Sequence, residues 1–481
     1  MSRLETLEQL RERDDTFAPS DSTVARLEKL DRTVTFVPSQ IGAADQVPVS
    51  YTSDPGRLLW YDLKLFASKL TKATGVFLPL RVGRDAQPYD ELYPSVTNIW
   101  SCVLHTILGV NQGMFLCSLP WYLFAPVFWL ILYVIFFFLI NAGICRLLNG
   151  SDLKIYPTIS VDPRGQFRDE YWIFMNGVSV GRGWLQANVN RLSQTFGRRV
   201  VGVHNPSDGI VFDLIQCVIQ RNFSYSTSDV REAYLSIKEA LLDKSIKKVV
   251  FILHSQGGIE GGLIMDWLFA ECSRFQLRRM EIYTFGCAAN HFNNPDYHET
   301  DGDQVTDGKC IEHIEHYANL GDFVSQIGVL NYTRVANRYM GRLFLSPDSG
   351  HLLNQHYLHT MFHLGQDGRV AENNPFMDLE VRVNYHDLDP GHEQMASFLT
   401  DRSGGVNFGS KMKFLDRGDA EKEKEAIAGQ HVAFVGDVNR AVRPMVLLQS
   451  GQEPRRMFVK DFSRLWQYRN GGSPPDEPVK A

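Results

Sequence analysis

Ser255 lies in the segment Val249-Val250-Phe251-Ile252-Leu253-His254-Ser255-Gln256-Gly257-Gly258. The apolar, β-branched run predicts a buried strand. It stops at His-Ser-Gln-Gly-Gly, and a helix-like stretch follows from Ile259 to about Phe275. A serine on a tight strand-to-helix turn is held clear of the backbone, and the free N–H groups of the helix start face a developing oxyanion. Gly257 and Gly258 suit a place where strand and helix pass closely. Leu253 stands where the first glycine of a G-x-S-x-G turn is expected. Ser255 is therefore the candidate nucleophile.

Such a serine needs a base and a carboxylate to orient that base, in the chain order Ser, acid, His. Residues Ile311 to Tyr317 mix polar and apolar side chains as a half-exposed strand does. Asp322 follows in the loop Ala318-Asn319-Leu320-Gly321-Asp322-Phe323-Val324 and is the candidate acid. Three histidines, His351, His356 and His359, lie between Ser349 and His359. His351 follows Gly350 at a loop-to-helix junction, from which an imidazole reaches a serine turn more easily than from mid-helix. His351 is the expected base, with His356 as the alternative.

These residues resemble a serine esterase or lipase of the α/β-hydrolase fold, and are similar to class 3 lipases over about residues 171–362. Tyr171-Trp172-Ile173-Phe174-Met175-Asn176-Gly177-Val178 resembles the family's oxyanion strand, with Asn176 in place of the common histidine. Tyr283-Thr284-Phe285-Gly286-Cys287 resembles the T-F-G strand after the nucleophile helix, and Asn319, Asp322 and Val324 resemble the acid loop. The resemblance implies a doubly wound, mostly parallel sheet and an oxyanion site at the backbone N–H groups of Gln256 and Val178. It implies no organic cofactor and no metal.

The elements that would position these groups alternate as a doubly wound α/β fold requires. Strands are expected at Tyr171–Met175, Arg199–His204, the run before Ser255, Met280–Phe285 and Ile311–Tyr317. Helices are expected at Trp184–Phe196 and at Asp229–Asp243, the latter with Asp229 as a cap. The hydrolase-like domain is assigned to 155–370, between an N-terminal extension (1–95) and a C-terminal extension (371–481). Within that extension, Leu379–Tyr385 and His431–Val435 read as strands, Arg417–Glu425 as a solvated charge run, and Gly471–Ala481 as a disordered tail. The acid-rich stretch from His291 to Gly308 reads as a solvated loop rather than a calcium site, because the EF-hand pattern fails at Val305.

From Trp100 to Cys145 there is no Asp, Glu, Lys or Arg. This membrane-associated segment is bounded at 96–146 and is densest at Trp121–Ile140, where about 20 helical residues would span roughly 30 Å. Trp121 and Tyr122 suit an interface, and Val96–Ser118 could form a second, shallow or re-entrant pass. Arg81, Arg84, Arg146 and Lys154 lie on both sides, so charge sets no orientation. The charged start Met1-Ser2-Arg3-Leu4-Glu5 predicts no cleavable leader, which leaves the apolar segment to direct insertion.

A net charge of −6 in 481 residues argues against a nucleic-acid partner, and seven scattered cysteines give neither a disulfide framework nor zinc-ligand spacing. The sequons at Asn222 and Asn331 are common by chance. The expectation is a membrane-localised serine hydrolase acting on carboxylic esters, with acyl lipids the natural substrates of an anchored site. A thioesterase or small-ester esterase with the same triad, and a hydrolase-like membrane scaffold without activity, are the alternatives. No motif in the chain encodes the acyl-chain preference, the membrane or the oligomeric state.

Overall fold

The computed structural model describes residues 33–37, 54–81, 86–162, 164–301, 304–332, 338–382 and 458–475. The expectations for Arg417–Glu425 and His431–Val435, and for the tail beyond residue 475, fall outside them. Nine strands form one sheet: β1 (Thr33–Val37), β2 (Lys154–Ile155), β3 (Glu170–Met175), β4 (Val200–Val203), β5 (Lys248–His254), β6 (Met280–Phe285), β9 (His313–Asn319), β10 (Arg342–Ser346) and β11 (Glu380–Arg382). Their order is β11-β1-β10-β9-β6-β5-β3-β4-β2. Every pairing from β10 to β4 is parallel, and only β1 with β10 and β2 with β4 run antiparallel. The chain is thus α/β with a mostly parallel sheet, and the sheet recruits β1 and β11 from outside residues 155–370.

Both faces of the sheet are covered, which is why β3 and β5 are apolar without alternation. Trp172, Phe174, Val250 and Ile252 face one core with Leu185, Val189, Leu192 and Phe196 of helix α4 (Arg182–Phe196). Ile173, Met175, Val249, Phe251 and Leu253 face the other. There they meet Ile237 and Leu241 of α6 (Ser228–Leu242) and Ile264 and Leu268 of α7 (Gly257–Glu271). Helix α7 is shorter than expected: it ends at Glu271, and Ser273 caps a separate short turn at Arg274–Leu277. Thr227 rather than Asp229 occupies the cap position of α6, without a side-chain cap hydrogen bond, and Asp229 lies buried in the first turn. The predicted loop at His291–Gly308 contains an antiparallel hairpin, β7 (Asp296–Asp301) and β8 (Gln304–Lys309).

The two flanks are bound to this body by buried charges. Helix α1 (Pro55–Lys69) supplies Asp62, which accepts from Arg221 Nη2 at 2.8 Å, Asn222 Nδ2 at 2.9 Å and the Tyr332 hydroxyl at 3.0 Å. The Asn222 sequon is therefore a buried structural group in this fold. At the other end of the chain, residues 458–475 cover two carboxylates that sit on an otherwise apolar sheet face. Glu281 accepts from Arg464 Nε at 2.9 Å and the Tyr468 hydroxyl at 2.7 Å, and Glu315 accepts from the Arg464 backbone N–H at 2.8 Å.

The apolar segment forms two antiparallel helices, α2 (Val96–Ser118) and α3 (Val127–Asn149). Contacts run in opposite sense along them: Ser118 with Tyr133, Phe115 with Phe137, and Gln112 with Asn141. Proline at position 126 breaks the stretch expected to be helical from Trp121, so α3 starts at Val127 and carries Arg146 in its last turn. Both are long and apolar enough to cross a membrane, and only 22% and 11% of their most apolar windows are buried, unlike core helices. The antiparallel pairing puts the residues before α2 and after α3 at the same end of the hairpin.

Glu281 is pushed up by burial, but Arg464 and Lys248 outweigh this and hold it below the ordinary glutamate range. Its ionisation therefore stabilises the fold above the unfolded value of about 4.3, and that stability is lost as pH falls through the lower folded value. Arg464→Met should cost about 3–5 kcal/mol by stranding a buried carboxylate. Denaturant unfolding of the full chain in detergent should show this loss at neutral pH, and Glu281→Gln in the same chain should recover part of it.

Candidate active site

The carboxyl edge of the parallel sheet gathers the predicted residues. Ser255 follows β5 directly and has φ of +60°, a left-handed conformation that costs a non-glycine residue about 1–3 kcal/mol. The surroundings enforce it. The Ser255 N–H donates to the Phe285 carbonyl at 3.1 Å, and the Ser255 carbonyl accepts from Gly258 and Ala288, each at 3.0 Å. A Cβ on Gly177 would overlap the Ser255 side chain, one on Gly257 would lie 2.7 Å from the Met175 carbonyl oxygen, and one on Gly258 would overlap the Cys287 Sγ. The departure at Leu253 has a physical counterpart on α7, where a Cβ at Gly261 would overlap the leucine methyl groups. The glycine that relieves the strand–helix contact sits on the helix instead of the strand.

His351 and Asp322 come together 29 residues apart in sequence, with Nδ1 and Oδ2 at 2.9 Å. The loop after β9 places Asp322 as the cap of a short helix, its Oδ1 accepting from the Val324 N–H. Ser325 and Tyr357 hydroxyls donate to Oδ2 at 2.8 and 2.7 Å. Burial alone would raise the Asp322 carboxyl, but the His351 ring and these hydroxyls outweigh it and hold it below the usual range. An ionised Asp322 fixes the proton of His351 on Nδ1, leaving Nε2 as an acceptor. His351 Nε2 is buried and has no hydrogen-bond partner among the described residues. Gly286, with φ of +55°, passes against the pair; a Cβ there would lie 2.8 Å from Asp322 Oδ2 and 2.9 Å from the His351 ring.

His356 is arranged differently. Its Nδ1 accepts from the Leu352 N–H at 3.0 Å and its Nε2 lies 2.9 Å from the Pro79 carbonyl. Both ring nitrogens are occupied, and burial lowers the ring to about 4. His359 is buried, its ring 5.0 Å from that of His363, and is lowered to about 3, first by burial.

Gln256 starts α7, and its side chain is held by a file of buried amides. Asn205 Nδ2 donates to Gln256 Oε1 and Gln256 Nε2 donates to Gln220 Oε1, both at 2.8 Å. Gln220 donates in turn to Glu260 at 3.2 Å. Burial, and next the neighbouring Asp229 carboxyl, push Glu260 well above its ordinary range. Asn176, the residue that replaces histidine, donates to the Asn205 and Gly177 carbonyls at 3.0 and 2.9 Å and accepts the Asn205 N–H. It ties the end of β3 to the loop after β4. Val178 is half-buried in the next loop, and its neighbour Ser179, with φ of +55°, donates its N–H to Asp213 at 2.9 Å.

Tyr357, Ser325, Asn205 and Asp213 contribute without carrying a motif, and His254, the first residue of the His-Ser-Gln-Gly turn, contributes beyond it. His254 stacks on His351 with ring centroids 4.7 Å apart, and its Nε2 lies 2.8 Å from the His351 carbonyl. For the four without a motif, the lone Asp213 within the apolar run after Gly209 is the one signal in the sequence. All seven cysteines are free, and no three metal-ligating side chains converge among the described residues. Comparison with protein-family models, with curated proteins and with solved structures finds no match for the chain.

The crowding at the turn has a measurable consequence. Gly258→Ala should cost about 1–3 kcal/mol through overpacking against Cys287. Adding Cys287→Ala removes the opposing sulfur and should restore most of the loss in thermal unfolding.

Proposed function

We propose that the chain is a membrane-associated serine hydrolase of the α/β-hydrolase fold that cleaves carboxylic esters, with acyl lipids as substrates. The observation that carries this reading is the left-handed Ser255 at the end of β5, beside a buried His351–Asp322 pair whose Nε2 has no partner among the described residues. The crossover order of the sheet, with helices on both faces, agrees with the fold.

In this mechanism the Ser255 Oγ attacks the ester carbonyl as its proton passes to His351 Nε2. The oxyanion accepts hydrogen bonds from the backbone N–H groups of Gln256 and Val178, one held by the start of α7 and the other by the loop tied to Asp213. The tetrahedral intermediate collapses, His351 protonates the leaving alcohol, and an acyl-enzyme remains on Oγ. Water then attacks the acyl carbon with His351 again taking the proton, which releases the acid and restores the serine. Asp322 keeps the imidazole in the required tautomer throughout.

Ser255→Ala should abolish labelling by a fluorophosphonate probe and abolish ester hydrolysis, with an unchanged circular dichroism spectrum. Wild-type chain that resists the probe would instead favour an inactive scaffold. Hydrolysis profiled across oxygen esters and thioesters of increasing acyl length separates a lipase from a thioesterase.

His351→Ala should lower kcat by about 10³–10⁴-fold. His356→Ala should reduce stability and leave the turnover of the folded fraction within about tenfold of wild type. An inactive but folded His356→Ala beside an active His351→Ala would reassign the base.

The membrane half of the proposal rests on α2 and α3. Full-length protein should stay in the pellet after alkaline carbonate extraction, and deletion of 113–136 should release it. Recovery of intact protein in the supernatant would make the hairpin a lid or packing element.

A further inference from the structure

Helix α5 (Ile210–Phe223) is amphipathic in the reverse of the usual sense. A surface helix normally buries its apolar stripe and turns polar groups to water. Here Asp213, Gln220, Arg221 and Asn222 are all buried. Each is committed inward: Asp213 to Ser179, Gln220 to Gln256, and Arg221 and Asn222 both to Asp62. The exposed side chains are Ile210 at 36%, Ile215 at 46%, Ile219 at 39% and Phe223 at 50%. The spacing of Ile215, Ile219 and Phe223 lines them up on one face, and Tyr225, 54% exposed, follows at its end.

This face continues the surface of the α2–α3 hairpin. The Phe212 ring lies 5.9 and 6.0 Å from those of Phe137 and Phe138, and a Cβ on Gly109 would be 3.9 Å from Ile210. Gln112 and Asn141 both donate to the Asp208 carbonyl, at 2.6 and 3.2 Å. The body therefore reaches along the hairpin as far as residues 112 and 137. Beyond that level α2 has only about six residues and α3 about ten, or ~9 and ~15 Å of helix. A hydrocarbon core is about 30 Å thick, so a hairpin entering past one leaflet must draw α5 in with it.

We propose that α5 is a third membrane-contacting element, lying in the phospholipid interface with Ile215, Ile219 and Phe223 against the acyl chains. The inference rests on the reading of α2 and α3 as membrane-embedded. It also sets an orientation. Helix α5 follows β4 at the carboxyl edge of the sheet, the edge that carries Ser255. That edge faces the bilayer, and the substrate class is an acyl ester that resides in the bilayer and enters sideways from it.

The test is photocrosslinking of the full chain in phosphatidylcholine vesicles that contain radiolabelled phosphatidylcholine. Benzoylphenylalanine replaces Ile219, Phe136 on the hairpin, or Phe275 in turn; Phe275 is 80% exposed and precedes β6 at the opposite edge of the sheet. Positions 136 and 219 should both take up lipid label, at least about tenfold above position 275. Label at 136 with position 219 at the level of 275 would overturn the role of α5 and leave the hairpin reading standing. Background label at both would overturn the hairpin reading and the inference with it. Crosslinking of position 219 to protein, whether the same chain or a second copy, would make α5 a protein contact and also overturn the proposal.

Discussion

Three backbone segments converge on Ser255 more closely than side chains allow: the end of β3, the end of β5 and the start of α7. Gly177, Gly257 and Gly258 are the places where any Cβ would meet the serine, the Met175 carbonyl or the Cys287 sulfur. The serine itself takes the left-handed conformation because its N–H and carbonyl are both engaged by the strand and loop beside it. A strained residue persists only where its surroundings over-determine it. The turn is therefore a product of the whole parallel sheet, and the placement of the helix start, Gly286 and the His351–Asp322 pair all depend on it.

Around that turn the polar groups form two linked systems. One runs from Glu260 through Gln220, Gln256 and Asn205 to Asn176, and fixes the two loops that flank Ser255. The other runs from the hairpin. Gln112 and Asn141 hold the Asp208 carbonyl, the Asp208 N–H donates to Asp213, and Asp213 accepts the Ser179 N–H beside Val178. Burial raises Asp213 to about 6, so the Ser207 hydroxyl and the Ser179 and Asp208 N–H groups face a carboxylate that is held at a desolvation cost. The apolar hairpin and the loop beside the serine are thus joined by direct hydrogen bonds rather than by a linker.

Buried charge also decides which parts of the chain belong to the body. Asp62 brings α1 onto Arg221, and Glu281 with Glu315 holds residues 458–475 on the sheet. A lost partner leaves a charge with no water to solvate it, so these contacts specify the docking of the flanks even where their net stabilisation is small.

Local rules made the central elements legible from the sequence. The β-branched runs of β3, β4, β5 and β6, the period of α4 and α6, the strand–serine–helix junction and the charge-free stretch were all readable, because each is set by residues adjacent in the chain. Ser255, Asp322 and His351 could be named as candidates from the same kind of signal. Tertiary structure alone decided the rest. It paired His351 rather than His356 with Asp322, because the Pro79 carbonyl and the Leu352 N–H occupy the His356 ring. It brought β1 and β11 into the sheet from the flanks, and turned α5 inside out by giving Asp213, Gln220, Arg221 and Asn222 internal partners. Apart from the Leu352–His356 contact, these outcomes depend on residues tens to hundreds of positions apart, and no short window of sequence contains both partners.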